Sequence, residues 1–389
     1  MNYQALGDMI HIVHIIPTLG SGGAESMLFR LLLGLSGRKY RHSIITLLES
    51  PCVHDLKAVG VDVHCIGMSK RGTLKELLKS MQQISVKLNE MRPDVVQGWM
   101  YHANLVALLS APRHVAVLWG VHHSLDALRK EKFLTVIMIC LGAVLSRISK
   151  VKGIVYPSGC SRRQHERIGY EKRKSISIPN GYDCVLFDGD NWDKSMSRAR
   201  FGIRDDEFVV GNFGRYHKVK NHRLLIHAFS LFCKESSCAK LVLAGKGVDL
   251  DNSELIALIN EFNVMGRVIL LGEQSGMPEL YAILDLYVLA SISEAFPNVL
   301  CEAMASRVPV ISTRVGDAVQ MLGEHGVLLE VNDPILLSNL MISISTAPPD
   351  RLRLVKESGR QRVLDRYEIS KVCDMYAALF DGVRNPVGH

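Results

Sequence analysis

The sequence feature that most constrains the fold is the stretch Leu286–Thr313, which reads LYVLASISEAFPNVLCEAMASRVPVIST. It begins with an apolar run, continues through a polar turn into a helical pattern with Pro297 near its first position, and ends in the β-branched run Val308–Thr313. Proline is favoured at the start of a helix, and short apolar runs on either side of a helix are typical of parallel strands. The stretch therefore predicts one βαβ unit of a parallel sheet.

Two carboxylates lie eight residues apart in this unit, Glu294 in the predicted loop and Glu302 in the predicted helix. Asn298, Glu302 and Ser306 are spaced i, i+4 and i+8, which predicts that they share one helix face. A helix N-terminus favours an anion, because its first N–H groups have no intrahelical partner. Acids beside that position are not expected to bind the anion themselves. We expect them to accept hydrogen bonds from hydroxyl groups of a ligand whose phosphates lie at the helix N-terminus.

Both halves of the chain begin with a strand, a turn that contains glycine, and a helix. In the first half Ile10–Ile16 is followed by PTLGSGGAES and a helical pattern, and in the second half Phe208–Phe213 is followed by a basic turn. A chain of 389 residues is expected to form two domains, and the polar stretch Asp188–Asp206 suits a linker with an entry helix. The sequence predicts an α/β protein of two doubly wound, Rossmann-like domains facing across a cleft, residues 1–186 and 187–370.

The basic turn of the second half contains Arg215 and Lys220, five residues apart. Arginine offers a bidentate fork and lysine a mobile point charge, so the two can converge on one anion at the start of a helix. A solvated basic loop is the alternative. Because the strands of one parallel sheet end at a single edge, this turn and the loop with Glu294 are expected to share one site.

The glycines of the first half, Gly20, Gly22 and Gly23, stand between a strand and a helix, an arrangement typical of phosphate sites. A tight turn that requires glycine is the alternative, because the spacing is not the G-x-G-x-x-G of dinucleotide folds. His122 follows the predicted strand Val115–Gly120, at the strand end where open α/β sheets bind ligands. A solvated histidine on a surface loop is the other interpretation of this residue.

The composition indicates an ordinary globular protein of moderately basic charge. The formal net charge of +7 favours anionic ligands or an anionic membrane surface. Nucleic-acid binding is not expected, because Lys and Arg are scattered and aromatic residues make up only 6% of the chain. The nine cysteines contain no C-x-x-C pair, so neither a zinc site nor a disulfide framework is indicated. Reduced thiols in a cytoplasmic compartment are therefore expected.

The most apolar segment of the chain is Phe133–Ser146. At about 14 residues it is too short to span a bilayer, which requires roughly 20. It is either a buried helix or part of a surface that dips into a membrane while its basic flanks contact anionic headgroups. The flanking basic residues are Arg129, Lys130, Lys132, Arg147, Lys150 and Lys152.

In the order of its motifs the chain resembles the retaining GT-B glycosyltransferases of family 4, also called group 1. The most specific motif is EAFPNVLCE at Glu294–Glu302, which is similar to the E-x7-E signature of that family. Supporting motifs follow in the family's order along nearly the whole chain: GSGGAE at 20–25, IPNGYD at 178–183, GRYHKVKN at 214–221, LVLAGKG at 241–247 and STRVGD at 312–317.

The resemblance implies a transferase that uses a nucleoside diphosphate sugar as its donor, without a metal ion or a separate cofactor. By this analogy Arg215 and Lys220 hold the diphosphate and offset its charge as it leaves. Glu302 accepts hydrogen bonds from the ribose hydroxyls, and Glu294 accepts them from the hydroxyls of the donor sugar. Neither acid is expected to be a nucleophile.

The resemblance also implies further donor contacts from both domains. The first domain is the acceptor side, where Gly22 and Gly23 bring backbone N–H groups near the diphosphate and His122 lies near the reacting sugar. The second domain binds the donor, with backbone N–H groups of Phe296 to Asn298, Pro297 included, facing the sugar or the phosphate. Residues 371–389 are expected to form a helix that returns to the first domain.

The expected function is sugar transfer to an acceptor hydroxyl in lipopolysaccharide, capsule or exopolysaccharide biosynthesis. A lipid-linked or saccharide acceptor is expected, with the protein in the cytoplasm and peripheral on the inner face of the cytoplasmic membrane. The loops Gly98–Asn104 and His122–Lys132 are expected to shape the acceptor pocket. Two other functions remain open. A nucleotide-sugar epimerase on the same fold would need no acceptor, and a non-catalytic partner subunit would be expected to lose residues such as Lys220.

Overall fold

The structure, a computed structural model, describes residues 9–20, 22–49, 56, 60–69, 74–125, 133–294, 296–330 and 332–384. By the density of internal contacts the chain divides into two units. The first unit comprises Met1–Gly181 and Ile369–His389, and the second comprises Tyr182–Glu368. The boundaries expected from the sequence, after residues 186 and 370, lie slightly downstream of these.

The first unit is built around a seven-stranded parallel sheet. The strands pair in the order third, second, first, fourth, fifth, sixth and seventh, so the chain winds to one edge and then returns past its first strand to the other. This is a doubly wound, Rossmann-like arrangement. The strands are β1 (Ile10–Ile16), β2 (Tyr40–Thr46), β3 (Asp62–Cys65), β4 (Val95–Trp99), β5 (Ala116–Gly120), β6 (Val151–Tyr156) and β7 (Ser175–Ser177).

Helices cover both faces of this sheet, which explains why its strands are continuous apolar runs. Along β1, Ile10 and Ile12 pack toward one group of helices, and Val13 and Ile15 pack toward the other. The first group consists of the helix after β1 and the last helix of the chain. The helices are α1 (Gly23–Leu35), α2 (Leu74–Met91), α3 (Met100–Ser110), α4 (Phe133–Leu145), α5 (Gly159–Ile168) and α14 (Ile369–Arg384).

The second unit has a six-stranded parallel sheet in the order β10-β9-β8-β11-β12-β13. Its strands are β8 (Phe208–Phe213), β9 (Ala239–Ala244), β10 (Val268–Leu270), β11 (Leu286–Leu289), β12 (Val310–Thr313) and β13 (Val327–Leu329). Its helices are α6 (Lys194–Arg200), α7 (His222–Glu235), α8 (Ser253–Glu261), α9 (Met277–Ala282), α10 (Asn298–Ala305), α11 (Ala318–Leu322), α12 (Pro334–Ser345) and α13 (Pro349–Arg366). The two doubly wound α/β units confirm the predicted fold class.

The predicted βαβ unit at Leu286–Thr313 is present as β11, α10 and β12. The two strands pair in parallel, with Tyr287 opposite Val310. Residues alternate along β11, so that Tyr287 packs beside α10 while Leu286 packs on the opposite face of the sheet. Ser306 continues the face of Glu302 as expected, although α10 itself ends at Ala305, because the Ser306 N–H donates to the Glu302 carbonyl oxygen at 3.1 Å. Ser306 is the C-cap residue, and its hydroxyl donates to the Glu302 carbonyl oxygen at 2.9 Å.

The apolar segment predicted at Phe133–Ser146 forms α4, but the buried-helix interpretation was wrong. Within α4 only Ile139, Gly142 and Ala143 are buried, and the opposite face is exposed. The basic residues predicted to precede it, Arg129, Lys130 and Lys132, lie outside the described residues, as does the part of the His122–Lys132 loop beyond Leu125. Among the helices that the structure describes, none has the length and apolar character needed to cross a bilayer.

Candidate active site

The basic turn of the second unit connects β8 to α7. A short 3-10 turn, Lys218–Lys220, precedes the helix, and Asn221 joins the two in a left-handed conformation with φ of 53°. The side chain of Lys220 folds back across the turn toward Gly214, so that a Cβ atom added at this glycine would lie only 3.5 Å from Nζ. Gly245 at the end of β9 has no room for a side chain, since a Cβ atom there would overlap the carbonyl oxygen of Gly214. The backbone segments that follow β8 and β9 are therefore in close contact with each other, and the Lys220 side chain lies against Gly214.

Glu294 is the partner of Lys220. Nζ of the lysine lies 2.6 Å from Oε1 of the glutamate, and the two side chains are 21% and 16% exposed. The Ser291 hydroxyl donates to the same carboxylate oxygen at 2.7 Å. Two donors thus converge on one oxygen, in surroundings that shield the charges from water better than an open surface does. The structure therefore brings together two residues that the sequence places in separate loops.

Two further hydrogen bonds hold the loop that carries Glu294. Thr313 Oγ1, at the end of β12, donates to the Ser291 carbonyl oxygen at 2.6 Å, and both residues are buried. The Ile292 N–H donates to the Val219 carbonyl oxygen at 2.7 Å, which joins this loop to the basic turn. The sequence analysis missed Ser291 and Thr313. A serine at the end of an apolar strand, three residues before the acid, was the available signal, but the sequence does not identify its partner.

Arg215 differs from Lys220 in its surroundings. Its side chain is exposed, and no carboxylate among the described residues forms an ion pair with it. The site thus has one cation neutralised by an acid and one that faces solvent. A histidine at the start of α7, His222, adds no charge here, because burial and the neighbouring Lys220 lower its pKa to about 4.

Glu302, the second acid of the E-x7-E signature, lies in α10. Tyr281 donates from its hydroxyl to Oε2 of Glu302 at 2.9 Å, and Tyr182 donates to Oδ1 of Asn298 one turn earlier. Burial, followed by the nearby Glu302 carboxylate, raises the pKa of Tyr281, so the phenol remains a donor at physiological pH. Glu302 is half-buried and therefore open on one side.

The backbone at the start of α10 differs in detail from the expectation. Pro297 occupies the N-cap position and Asn298 is the first helical residue. Proline has no N–H group, so Pro297 cannot donate to a ligand and the expected contact from its backbone was wrong. Phe296 is buried in the core of the unit. Only Phe296 and Asn298 of this stretch have an N–H to direct toward a sugar or a phosphate.

In the first unit, Gly22 is the N-cap of α1 and Gly23 its first residue. Oε1 of Glu25 accepts a hydrogen bond from the Thr18 hydroxyl at 2.9 Å, and the same carboxylate lies where a Cβ atom at Gly22 would stand. The acid of the first turn therefore lies over the helix N-terminus that the sequence predicted for a phosphate. A diphosphate can reach these N–H groups only if the Glu25 side chain rotates away, because the two negative charges repel each other.

His122 follows β5 and stacks on Trp99, with ring centroids 4.9 Å apart and planes inclined by 17°. Both of its ring nitrogens are buried and have no hydrogen-bond partner among the described residues. Burial lowers the pKa of this histidine to about 4, so the ring is neutral at physiological pH. The interpretation as a solvated surface histidine was therefore wrong. A neutral imidazole with an unused donor and an unused acceptor is suited to a hydroxyl group.

The predicted site residues are divided between the units. Gly22, Gly23 and His122 lie at the C-terminal edge of the first sheet. Within the described residues, no group of three His, Cys, Asp or Glu side chains is arranged to hold a metal ion. The residues of the second unit are Arg215, Lys220, Glu294, Phe296, Pro297, Asn298 and Glu302.

Comparison with known proteins identifies the class. Residues 193–362 match the family described as "Glycosyl transferases group 1", and residues 21–186 match the family described as "Glycosyltransferase Family 4". With its two Rossmann-like units, the protein is a GT-B glycosyltransferase. More narrowly, the chain belongs to the group 1 transferases of family 4, as its motifs predicted.

Individual relatives agree with this assignment. The "Putative glycosyltransferase EpsF" of Bacillus subtilis is 26% identical over 77% of this chain and 78% of its own. The "Capsular polysaccharide biosynthesis glycosyltransferase CapM" of Staphylococcus aureus is 22% identical over 82% of this chain and 84% of its own. Among solved structures, Anabaena HepE in complex with UDP and glucose has a TM-score of 0.83 and 20% identity, over 95% of this chain and 99% of that one. At this identity the structural likeness shows the fold.

Proposed function

We propose that the protein transfers a sugar from a nucleoside diphosphate sugar to an acceptor hydroxyl, with retention of the anomeric configuration. The observation that carries this proposal is the Lys220–Glu294 pair beside the exposed Arg215 at one edge of a parallel sheet. Two cations suit the diphosphate of such a donor, and a carboxylate among them suits the hydroxyl groups of its sugar.

Donor binding would change the partners of Lys220. The diphosphate competes with Glu294 for Nζ, while the Ser291 hydroxyl still holds Oε1 of the carboxylate. The second carboxylate oxygen then accepts hydrogen bonds from the sugar. As the diphosphate departs, its negative charge grows, and the fixed charges of Arg215 and Lys220 stabilise it. These two cations supply the stabilisation for which other transferases use a metal ion, so the reaction is proposed to be metal-independent.

Retention is proposed to occur by attack on the same face of the sugar that the leaving group occupies. The bond between the anomeric carbon and the phosphate oxygen breaks, and a bond from that carbon to the acceptor oxygen forms. The acceptor proton passes to the departing phosphate oxygen. Glu294 is not proposed as a nucleophile, because the Ser291 hydroxyl holds one of its carboxylate oxygens and the other is assigned to the hydroxyl groups of the sugar. His122, neutral and with both ring nitrogens unused, would hydrogen-bond the reacting sugar.

Further donor contacts are proposed for each unit separately, at α10 in the second unit and at the start of α1 in the first. Glu302, held by the Tyr281 hydroxyl, would accept hydrogen bonds from the ribose. The N–H groups of Phe296 and Asn298, at the positive end of the α10 dipole, would face the sugar or the phosphate. Gly22 and Gly23 would contribute N–H groups to the diphosphate once Glu25 has moved.

The acceptor is proposed to be a lipid-linked or saccharide intermediate of lipopolysaccharide, capsule or exopolysaccharide assembly. The relative named as a capsular polysaccharide biosynthesis enzyme supports the pathway class, because it aligns with most of this chain. The solved relative bound to UDP and glucose supports a nucleotide-linked donor. We propose that the protein works in the cytoplasm, at the inner face of the cytoplasmic membrane.

The test is sugar transfer by the purified protein. Nucleoside diphosphate sugars are supplied with a panel of lipid-linked and saccharide acceptors, and both the released nucleotide and the glycosylated product are measured. The proton coupling at the anomeric carbon of the product should match that of the donor. Activity should persist in excess chelator. An inverted product, a donor isomerised without any acceptor, or activity lost to chelator and restored by Mg²⁺ would each contradict part of the proposal.

A further inference from the structure

Helix α4 has an apolar face that no other described part of the protein covers. Phe133, Leu134 and Val144 are 77%, 68% and 62% exposed, and the remaining members follow at helical spacing. The helix is held to the first unit only by its opposite side. The α4 face consists of Phe133, Leu134, Ile137, Cys140, Leu141 and Val144, together with Ile148 in the turn that follows.

This face is unusual for the molecule. Elsewhere in the described residues, large exposed apolar side chains occur singly or as adjacent pairs along the chain, such as Leu354 in α13 or Leu250 after β9. Isolated exposed apolar residues are normal, whereas a continuous apolar patch marks a surface that another body covers. The α4 face has no acidic residue in it.

A basic rim borders the C-terminal end of the α4 face. Lys174 donates from Nζ to the carbonyl oxygens of Ser146 and Ile148 at 2.9 and 2.7 Å, so its turn is fastened to the end of α4. Glu171, the acidic residue of that turn, accepts a hydrogen bond from the Arg173 backbone N–H within the same turn. The exposed cations of the rim are Arg147, Lys152, Lys172 and Arg173.

We propose that the α4 face docks on an anionic phospholipid bilayer, with the helix lying in the interface and the basic rim on the headgroups. This inference rests on the proposed function in one respect, since a lipid-linked acceptor would be met at such a surface. An apolar face with a cationic border matches the two parts of the interface, the acyl region and the anionic headgroups. A two-fold contact between copies of this chain fits less well, because it would bring the same cations together.

The experiment measures binding of the full-length protein to vesicles by flotation. One set of vesicles contains equal parts of phosphatidylglycerol and phosphatidylcholine, and the other contains phosphatidylcholine alone. Wild-type protein should float with the anionic vesicles and about tenfold less with the neutral ones. Raising the salt concentration should weaken binding but not abolish it, because salt screens the headgroup contacts and leaves the apolar insertion.

Two variants separate the two contributions. In the triple variant Ile137→Ser, Leu141→Ser and Val144→Ser, the salt-resistant part of binding should be lost. In the variant Arg147→Gln, Lys152→Gln and Arg173→Gln, binding at low salt should fall by about tenfold or more. All six positions are exposed or border solvent, so the fold is expected to tolerate these changes. The matched control is Leu250→Ser with Leu354→Ser, which removes exposed apolar groups from the second unit and should bind like the wild type.

The outcomes separate this inference from the proposed function. If no variant alters flotation, or if the wild type does not bind anionic vesicles, the α4 face is not a membrane surface, whatever the transfer assay gives. If the wild type is instead a dimer that the triple serine variant converts to a monomer, the face is a self-contact and the inference is wrong. Transfer to a water-soluble acceptor should be the same in the wild type and the triple serine variant, because the transfer site is not touched.

Discussion

The two units follow the same plan, yet the C-terminal edges of their sheets differ in chemistry. In the second unit that edge carries charge, with Lys220 paired to Glu294 and Arg215 in solvent. In the first unit it carries neutral rings, with His122 stacked on Trp99. A charged edge suits a diphosphate, which must be stabilised as it leaves. A neutral edge suits hydroxyl groups, which need hydrogen bonds and would gain little from a net charge.

The rings of the first unit continue into its core. Trp99 Nε1 donates to Nδ1 of His14 at 3.2 Å, which leaves the proton of that imidazole on Nε2. His14 Nε2 in turn lies 3.1 Å from Nδ1 of His42 and donates to it. Burial is the largest cause that lowers the pKa of both histidines, to about 4 for His42. The first unit is thus stable with neutral imidazoles, whereas the site of the second unit requires ionised groups.

The largest expected effect is the loss of the mobile cation from the charged edge. Lys220→Ala should lower kcat for sugar transfer by about 10²–10³-fold, because one fixed charge on the leaving diphosphate is removed. The matched control is Lys218→Ala, an exposed lysine in the same turn, which should change activity little. Steady-state kinetics of nucleotide release measure both. Equal activity of the two variants would remove Lys220 from the proposed site.

The second-largest expected effect is a loss of stability of the first unit at acidic pH. Between pH 6.5 and about 4, the unfolded chain binds a proton at His42 that the folded chain does not, so stability is highest above pH 6.5 and falls as the pH drops toward 4. For His42 alone the loss amounts to about 3 kcal/mol. Urea unfolding at pH 7.5 and pH 5 should show about 2 kcal/mol of this loss, since pH 5 lies above the folded pKa. Hydrogen exchange should show β1 and β2 opening before β8 and β11.

Variants of the first unit sharpen this comparison. His42→Asn should flatten the pH dependence of the free energy of unfolding, even if the variant is less stable at every pH, because the titrating group is gone. His114→Gln, at an exposed histidine of the same unit, should leave the dependence unchanged. An identical slope in the wild type and His42→Asn would show that the buried pair does not control acid stability.

The smallest expected effect tests the support of the charged edge. Ser291→Ala removes one of the two donors to Oε1 of Glu294, so the carboxylate should be less well oriented and kcat/KM should fall about tenfold. The loss should appear mainly in kcat and should be partly rescued by Ser291→Thr, which keeps the hydroxyl. A drop in thermal stability with unchanged kinetics would instead show that Ser291 has a structural role only.

Much of the fold could be predicted because apolar periodicity is a local property. The strands Ile10–Ile16 and Phe208–Phe213 were predicted with the bounds they have in the structure, and β11, α10 and β12 were predicted in order. The roles of Arg215 and Glu302 remain predictions, since they depend on a bound donor.

What could not be predicted depends on contacts between distant residues. The apolar run of α4 has the same sequence pattern whether it is buried or exposed, and only the packing of neighbouring helices decides which. Ser291 was missed for a similar reason, because a serine near an acid has many possible partners until the loop is folded. The exposure of the α4 face and the hydrogen bond from the Ser291 hydroxyl to Glu294 are therefore findings of the structure.

The sequence by itself determined the family, the two parallel sheets and the placement of the charged residues in loops at strand ends. These follow from periodicity, glycine turns and the E-x7-E spacing, all of which act over short stretches of chain. Only the tertiary structure decided that Lys220 and Glu294, 74 residues apart, form an ion pair. It also decided that the imidazoles of His14 and His42 are hydrogen-bonded to each other in the core. Both pairs form where the fold brings neighbouring strands or their loops together. The free energy of a buried charge or imidazole depends on the partner that the fold places beside it.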